Sequence, residues 1–378
     1  MKVLVTGGAG YIGSHLARIL LKNHEVKILD NLYYGVEPIK ELLDNPKCTL
    51  IQGDIRDMNS VIKAVHDVDA VIHLASIVGE PASQLNAKAA MEINYLSTKN
   101  LIELCNLYEV KKFVFASTCT VYGAQPNVKL DECSTIKAID LYGETKVKSE
   151  IAIKSLANMP ITILRLATLF GLSQRMRFDL VVNLFIAKAL NKENLSVFGG
   201  DQYRPFLHVH DAAEAFALAT EKRYEGVYNI VHNNIQITEL AKLISERFGV
   251  SYEISKDIVD KRDYIVNGEK FNKLFDLVIQ KKVSRVIIEH KDRLTRFQFN
   301  VLVKFFESYG VIIEKVESTS ANDEEELVQD IMMLMAVFSG RLYGKRSAKR
   351  RKEKKLQKEL DLLNSYGIVA ETTEKGTE

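Results

Sequence analysis

Tyr142 and Lys146 lie four residues apart on a predicted helix, a spacing that places two side chains on one helix face. A free tyrosine has a pKa of about 10 and is a weak base at neutral pH, but a nearby positive charge favours its phenolate. Tyr142 is therefore a candidate general base that takes the proton of a substrate hydroxyl. Upstream, the apolar run 112–116 predicts a strand that leads into Ser117 and Thr118.

Oxidation of a hydroxyl also needs a hydride acceptor, and the first 30 residues predict where one binds. Lys2–Thr6 and Glu25–Leu29 have the apolar, β-branched composition of buried strands, and a helical pattern lies between them. Glycines at the turn allow a dinucleotide pyrophosphate to approach the helix N-terminus. Asp30, at the end of the second strand, suits the ribose hydroxyls and repels a 2′-phosphate, which favours NAD over NADP.

Further strand ends extend this predicted cofactor site. Strands at 49–52 and 70–75 direct their carboxyl ends to the same edge of a parallel sheet. Asp54 is a candidate partner of the adenine amine, while Asp57 is as readily explained as a helix cap. His73 is expected in the core, and Lys146 is expected to hold the nicotinamide ribose. The residues predicted to contact NAD are Gly7, Gly10, Tyr11, Ile12, Gly13, Asp30, Asn31, Asp54, Ile55, Leu74, Ala75, Ser76 and Lys146.

Composition excludes several classes of protein. The 378 residues are 47% hydrophobic and 26% charged, with a net charge of +2, which is typical of a globular chain of one or two domains. The four cysteines lack metal-ligand spacing and are predicted to be reduced, so no metal is expected. Neither a signal peptide nor a membrane span is indicated, and the expected location is cytoplasmic, with no membrane partner.

The residues up to about 272 resemble the NAD-dependent epimerase/dehydratase family of extended short-chain dehydrogenases/reductases, of which UDP-glucose 4-epimerase is a well-known type. The resemblance implies an α/β fold, a doubly wound Rossmann domain over 1–170 with a smaller substrate lobe over 171–272. It matches Thr118, Tyr142 and Lys146 to the family's catalytic residues, and Asn94 to an asparagine near the cofactor. Cys119 and Thr120 replace the Asp-Glu pair of the 4,6-dehydratases, which favours epimerisation or ketone reduction.

The resemblance also implies a nucleotide-sugar substrate and a homodimer formed through two helices of each protomer. The stretch 195–211 resembles the family's segment that crosses the nucleotide diphosphate. Arg204 is assigned to a phosphate, because a planar guanidinium suits that contact. Arg262 is a second phosphate candidate, and Asn183 is expected to contact the diphosphate or the sugar. His208 and Asp211 are interpreted as loop braces.

The character of the sequence changes after Asn272. Strands are predicted at 283–289 and 310–316, and a long helical pattern runs from Leu327 towards Leu363. The segment from about 274 to 358 resembles the second half of a serine recombinase catalytic domain, with Arg293 and Arg296 in place of its phosphate-binding arginines. No nucleophilic serine is present on a preceding strand, because Ser251 and Ser255 lack the neighbouring arginine. We therefore expect no strand cleavage by this chain.

A domain division follows: a partial recombinase-like segment over 273–363, a flexible tail over 364–378, and a substrate lobe truncated at the junction. The run 341–358 holds ten Lys or Arg residues and one Glu, so DNA is a conceivable partner. A solvated helix end is the preferred interpretation, since no base-reading motif accompanies the charge.

Three functions stay open. The first is an NAD-dependent 4-epimerase of nucleotide sugars, the second is an NAD(P)H-dependent 4-ketoreductase, and the third is an inactive DNA-binding or assembly module.

Overall fold

A computed structural model describes residues 1–222, 224–257 and 260–268, together with the backbone of 285–288 and 312–315. Contacts divide the chain into two units, Met1–Phe271 and Asn272–Glu378. The first unit contains the candidate site. Among the described helices, none combines the length and apolarity that crossing a membrane requires.

A seven-stranded parallel sheet forms the centre of the first unit, in the order β3-β2-β1-β4-β5-β7-β11. Its central strands are mostly apolar, and their residues are buried except for Lys2, as expected of strands covered on both faces. This is the doubly wound Rossmann sheet that the sequence predicts. The strands are β1 Lys2–Thr6, β2 Glu25–Asp30, β3 Cys48–Gln52, β4 Ala70–His73, β5 Lys112–Thr118, β7 Ile161–Leu166 and β11 Gly226–Ile230.

Two helical layers cover this sheet. Helix α1 packs against α8, while α5 packs against both α2 and α6. The helices are α1 Gly13–Leu20, α2 Met58–Val65, α3 Glu80–Leu85, α4 Ala87–Met91, α5 Ser97–Leu107, α6 Leu141–Leu156, α7 Val181–Leu190, α8 Val209–Glu221 and α9 Ile237–Phe248. The strand order reverses between β1 and β4, so a crevice opens beyond their carboxyl ends, where ligands of such sheets bind.

The helical stretch from Ala87 to Leu107 is not one continuous α-helix. A π-helical segment, Glu92–Leu96, separates α4 from α5. In this segment the backbone N–H of Ser97 donates to Glu92 O, five residues earlier. Two hydroxyls add to these carbonyls: Ser97 donates to Glu92 O at 2.9 Å, and Thr98 donates to Asn94 O at 2.7 Å. Such π segments are frequent at functional sites, and this one carries Asn94.

Smaller sheets build the lobe beside the carboxyl edge of the main sheet. Strand β10 pairs with β8 in parallel and with β12 in antiparallel, while β13 pairs with β9 and β14 with β6. These strands are β6 Ala124–Leu130, β8 Thr168–Phe170, β9 Leu195–Phe198, β10 Tyr203–His208, β12 Asn233–Gln236, β13 Tyr252–Ser255 and β14 Asp263–Val266.

In the second unit, β15 Arg285–Ile288 and β16 Ile312–Lys315 form a parallel pair, and both lie within the strands predicted at 283–289 and 310–316. The predictions for Arg293, Arg296, the long helix and the basic run 341–358 lie outside the described residues.

Candidate functional site

A glycine turn connects β1 to α1 and closes against the end of β4. Gly7 has φ +73°, and a Cβ on it would lie 2.9 Å from the amide nitrogen of Ala75. A Cβ on Gly13 would overlap the carbonyl oxygen of Gly7 and the backbone of Gly8. Only glycine fits at these positions, so the turn, the helix and the strand end pack backbone to backbone. We call the residues 7–13 together with Asp30 the cofactor cradle.

The cradle leaves backbone donors available. Ile12, the N-cap of α1, makes no side-chain cap hydrogen bond. Among the described residues, none accepts a hydrogen bond from the backbone N–H of Tyr11 or Ile12. The phenol of Tyr11 is already used, because it donates to the carbonyl of Gly171 at 2.6 Å. A helix N-terminus with free amides and no cap is suited to a pyrophosphate, which is the fit that a dinucleotide requires.

Asp30 lies where the predicted adenosine ribose would be. Its carboxylate accepts the backbone N–H groups of Ala9 at 2.9 Å and Leu32 at 2.8 Å, which fixes its orientation. Burial raises the pKa of Asp30 above its usual value, although these two hydrogen bonds oppose the rise. The carboxylate still has acceptor capacity for two ribose hydroxyls.

Asp54, the predicted partner of the adenine amine, already has a partner within the protein. Asp54 is paired with Arg56 through two hydrogen bonds of 2.9 Å, and Arg56 holds the pKa of Asp54 below its usual range. An adenine amine bound as predicted would share this carboxylate with Arg56. Asn31 also acts to lower the pKa of Asp54, and Ile55 is buried. Asp57 caps α2 by accepting from the backbone N–H groups of Asn59 and Ser60.

The end of β4 is held by Asn94. Its Oδ1 accepts from the Ser76 hydroxyl at 2.9 Å and from the Ile77 N–H at 2.8 Å. Its amide group donates to Ile77 O at 2.9 Å and to the Thr145 hydroxyl at 3.1 Å. Asn94 is buried and uses both amide hydrogens within the protein, so it positions the 74–77 segment. A direct donation to NAD is not available to it.

The structure brings the three predicted catalytic residues together. Thr118 ends β5, and Tyr142 and Lys146 lie on the first turns of α6. The Thr118 hydroxyl acts on the phenol of Tyr142 in the direction that lowers its pKa. The Lys146 Nζ lies 5.8 Å from the centroid of the Tyr142 ring and donates to the carbonyl of Ala116 at 2.9 Å. A hydroxyl, a phenol and an ammonium therefore converge at the carboxyl end of β5.

Burial dominates the electrostatics of this group. It raises the pKa of Tyr142 to about 12, and the charges of Arg177 and Arg262 and the Thr118 hydrogen bond oppose the rise. Burial also lowers the pKa of Lys146 to about 7. Lys146 is predicted to lower the pKa of Tyr142, but the pKa of Tyr142 in the protein is above its usual value. The cations that act on the phenol are the two arginines, and proton removal by Tyr142 requires further positive charge nearby.

Two contacts at this site lie beyond the sequence prediction. Glu80, at the start of α3, accepts the backbone N–H of Tyr142 at 3.1 Å and so caps α6 from a distant segment. The guanidinium of Arg175 lies 3.6 Å from the ring centroid of Tyr34, joining the turn after Asp30 to the start of the substrate lobe. The partners of these two contacts are separated by 62 and by 141 positions in the chain, and no sequence pattern links residues so far apart. The Asp140 cap on Gly143, at 2.6 Å, is local and could have been found from the sequence.

The predicted substrate residues divide into two groups. Asn183 is buried and donates to the Tyr11 hydroxyl at 3.1 Å and the Arg177 carbonyl at 2.9 Å, so its amide hydrogens are spent within the protein. These hydrogen bonds give Asn183 a positioning role, and its contact with the diphosphate or the sugar stays a prediction. Arg204 and Arg262, in contrast, meet at one carboxylate, that of Asp260.

We call Arg204, Arg262 and Asp260 the arginine cluster. Arg262 binds Asp260 through two hydrogen bonds, of 2.8 and 2.7 Å. Arg204 is 5% exposed and its Nη2 forms an ion pair with Asp260, but its Nη1 has no hydrogen-bond acceptor among the described residues. Although burial opposes ionisation, the two arginines hold the pKa of Asp260 well below its usual range. Arg262 also lies 3.8 Å from the carboxylate of Asp140, so the unused donor of the cluster is the Arg204 Nη1.

At the start of α8, His208 accepts the backbone N–H of His210 at 3.2 Å, which agrees with the predicted loop brace. The same turn brings His210, Asp211 and Glu214 together, with one ligand atom from each within 4.8 Å of the others. This group was not indicated by the sequence.

Two family models match the chain. Residues 3–231 match the NAD dependent epimerase/dehydratase family, and residues 232–360 match the N-terminal domain of resolvases. The second match begins earlier than the resemblance seen from about residue 274. Strands β12, β13 and β14 lie inside the matched range, yet they pair with β10, β9 and β6 of the first unit.

Individual proteins extend the first match. A putative UDP-glucose 4-epimerase of Methanocaldococcus jannaschii is 34% identical over 263 residues, which are 68% of this chain and 85% of that protein. A UDP-N-acetyl-alpha-D-glucosaminuronate decarboxylase of Bacillus cytotoxicus is 35% identical over 60% of this chain and 73% of its own length. The structure of the Thermus thermophilus UDP-glucose 4-epimerase in complex with NAD superposes with a TM-score of 0.64 at 28% identity, covering 72% of this chain and 92% of that one.

Proposed function

We propose that this chain, which belongs to the NAD dependent epimerase/dehydratase family, is a 4-epimerase of nucleotide sugars that oxidises the sugar C4 hydroxyl transiently. It is an NAD-dependent enzyme, either a nucleotide-sugar epimerase or a related oxidoreductase. The observation that carries the finer proposal is the convergence of Thr118, Tyr142 and Lys146 at the carboxyl end of β5, on the same sheet edge as the cofactor cradle.

When bound, NAD supplies a hydride acceptor at C4 and returns the hydride later. The protein's own residues manage the proton. Tyr142 takes the proton of the C4 hydroxyl, and Thr118 aligns the phenol. Lys146, whose Nζ lies 5.8 Å from the ring centroid, adds its positive charge to those of Arg177 and Arg262 when the phenolate forms. The 4-keto sugar then turns and presents its other face, and Tyr142 gives the proton back.

The residues after Thr118 support epimerisation over dehydration. Cys119 is fully buried, its thiol donates to the carbonyl of Arg165 at 3.3 Å, and burial raises the pKa of that thiol. Thr120 donates both its N–H and its hydroxyl to Thr118. Neither side chain offers the acid or the base that water elimination requires.

The substrate's diphosphate is assigned to the arginine cluster, where Arg204 keeps a donor nitrogen, Nη1, without an acceptor. Arginine bonds phosphate oxygens in pairs, so Arg204 and Arg262 can hold a diphosphate after exchanging Asp260 for it.

A homodimer is also part of the proposal. Leu107 and Ile151, on α5 and α6, are 72% and 62% exposed, and Leu96 precedes them at the start of the same layer. Apolar side chains on adjoining helices suit a four-helix interface between two copies. Light scattering of the purified chain checks this, and Ile151→Glu should shift the mass towards one protomer.

The deciding experiment is incubation of the purified chain with UDP-, dTDP- and GDP-sugars, without added reductant, while NMR follows the configuration at C4. A C4 epimer supports the proposal. Release of CO₂ from a UDP-glucuronic acid substrate would indicate decarboxylation instead, and turnover only with added NADH would indicate the ketoreductase.

A further inference from the structure

Glu150 lies one turn beyond Lys146 on α6, so Tyr142, Lys146 and Glu150 form a single stripe along the helix. The exposed fractions of Lys146 and Glu150 are 2% and 1%. A buried charge is costly unless it is paired and hydrogen-bonded. The proposed mechanism uses the first two residues of the stripe and gives Glu150 no task.

The carboxylate of Glu150 is bonded from two strands. Its Oε1 accepts from the Ser117 hydroxyl at 2.6 Å and from the Arg165 Nε at 2.9 Å, and its Oε2 accepts from the Arg165 Nη2 at 2.8 Å. Ser117 lies on β5 directly before Thr118, and Arg165 lies on β7. Glu150 therefore ties α6 to the strand end that carries Thr118.

We propose that Glu150 is a positioning residue that keeps Lys146 in its ammonium form and holds the α6 stripe against the end of β5. This inference rests on the proposed function, because that function gives the Lys146 ammonium its task.

The surroundings of Lys146 explain why an anion is needed there. Its neighbours along α6 are Tyr142 and Glu150, and the charge of Lys146 also acts on His73 of β4. Burial and that charge lower the pKa of His73 to about 3, so the imidazole is neutral and contributes no negative charge. Tyr142 is neutral as well, because its pKa is raised. Among the described residues, Glu150 is the anion that acts on Lys146.

Arg165 keeps this anion ionised. Although burial opposes ionisation, the hydrogen bonds and charge of Arg165 hold the pKa of Glu150 below its usual value. Lys154 lies 3.6 Å from the same carboxylate at the helix surface. Arg165 also donates to the Tyr122 hydroxyl at 2.9 Å, so its guanidinium is fixed on both sides.

The direction of the pH effect follows. Burial lowers the pKa of Lys146 to about 7, and Glu150 opposes that fall. The ammonium is present below this pKa and is lost as the pH rises through it. Removing the Glu150 carboxylate lowers the pKa of Lys146 further, so the ammonium is lost at a lower pH.

The test is Glu150→Gln in the full chain, with ¹³Cε-labelled lysine and NMR titration, and with Lys146→Arg to assign the signal. We expect the pKa of Lys146 to fall by about one unit, a tenfold change in its protonation equilibrium. Glu144→Gln is the matched control, since Glu144 is exposed on the same helix and should leave the titration unchanged. If the pKa of Lys146 is the same in Glu150→Gln as in the unsubstituted chain, the proposal is overturned.

A second readout is the pH profile of turnover, whose alkaline limb should move to lower pH in Glu150→Gln. The NMR titration does not depend on turnover, so it separates failure of this inference from failure of the proposed function. If Glu150→Gln does not fold, the double variant Glu150→Gln, Arg165→Gln replaces it. Both charges of the buried ion pair are then removed, so neither is left without its partner. The pKa of Lys146 in that double variant must also lie below that of the unsubstituted chain, and an unchanged value rejects the proposal.

Discussion

The cofactor cradle and the arginine cluster prepare for phosphate groups in opposite ways. The cradle offers backbone N–H groups at a helix N-terminus, shaped by glycines within seven consecutive residues. The cluster offers guanidinium groups from residues 58 positions apart, and it holds them with an internal carboxylate. Under the proposed function, the cradle is ready before its ligand arrives, whereas the cluster would exchange Asp260 for the diphosphate. Binding to the cluster should therefore depend more strongly on charge and salt.

Tyr142 belongs to neither region, so Tyr142→Phe separates chemistry from binding and gives the largest expected effect. Turnover should fall by about 10²–10⁴-fold, the usual contribution of a general acid or base. The affinities for NAD and for UDP should stay unchanged, because Phe keeps the ring and removes only the hydroxyl. Steady-state kinetics and calorimetric titrations check this. Near-normal turnover would reject Tyr142 as the base.

Arg204→Met tests the cluster alone. Hydrogen bonds to charged groups contribute about 1.5–3 kcal/mol, so UDP affinity should fall by about 10- to 150-fold while NAD affinity is retained. Arg247→Met, an exposed arginine on α9, is the control for loss of positive charge. If both substitutions weaken UDP binding equally, the effect is general electrostatics and the cluster is not the diphosphate site.

Gly13→Ala tests the cradle alone. The added Cβ would overlap the backbone of Gly7 and Gly8, which cannot yield as a flexible side chain would. Overpacking of this kind costs about 1–3 kcal/mol, or about 5- to 150-fold in NAD affinity. Gly10→Ala should have a smaller effect, since its Cβ would meet only the Gly7 carbonyl oxygen, at 3.1 Å. Equal effects of the two substitutions on NAD binding, measured by calorimetry, would contradict this account.

The contrast between the local cradle and the long-range cluster also explains how much of the fold and of the site could be predicted from the sequence. Strand, glycine turn, helix and acid follow one another within Met1–Asp30, and local pattern was enough to place them. The stripe of Tyr142 and Lys146 was predicted from helical spacing alone. The phosphate arginines were matched by resemblance, but their shared partner Asp260 was not, because ion pairing across the chain leaves no local periodicity. The π segment around Asn94 was missed because its backbone bond from Ser97 N–H to Glu92 O spans five residues in place of four, and no residue type signals that change.

Asp260→Asn has the smallest expected effect on stability and binding. It tests most directly whether the arginine cluster, unlike the cradle, must release an internal partner. The arginines hold the pKa of Asp260 below its usual value of 3.8, so this carboxylate stabilises the fold above that pH, and the contribution is lost as the pH falls further. Asparagine removes that contribution, so the free energy of unfolding at pH 7 should decrease by about 1 kcal/mol, a typical value for a partly exposed ion pair.

The same substitution should raise the affinity for UDP by a few-fold at low salt, because Arg204 and Arg262 no longer need to release a charged partner. Added salt should reduce this gain, since screening weakens the competing carboxylate as well. Thermal unfolding and calorimetry of one preparation measure both quantities. A loss of stability with a loss of UDP affinity would instead show that Asp260 orients the arginines for the diphosphate, and the cluster would then be as preformed as the cradle.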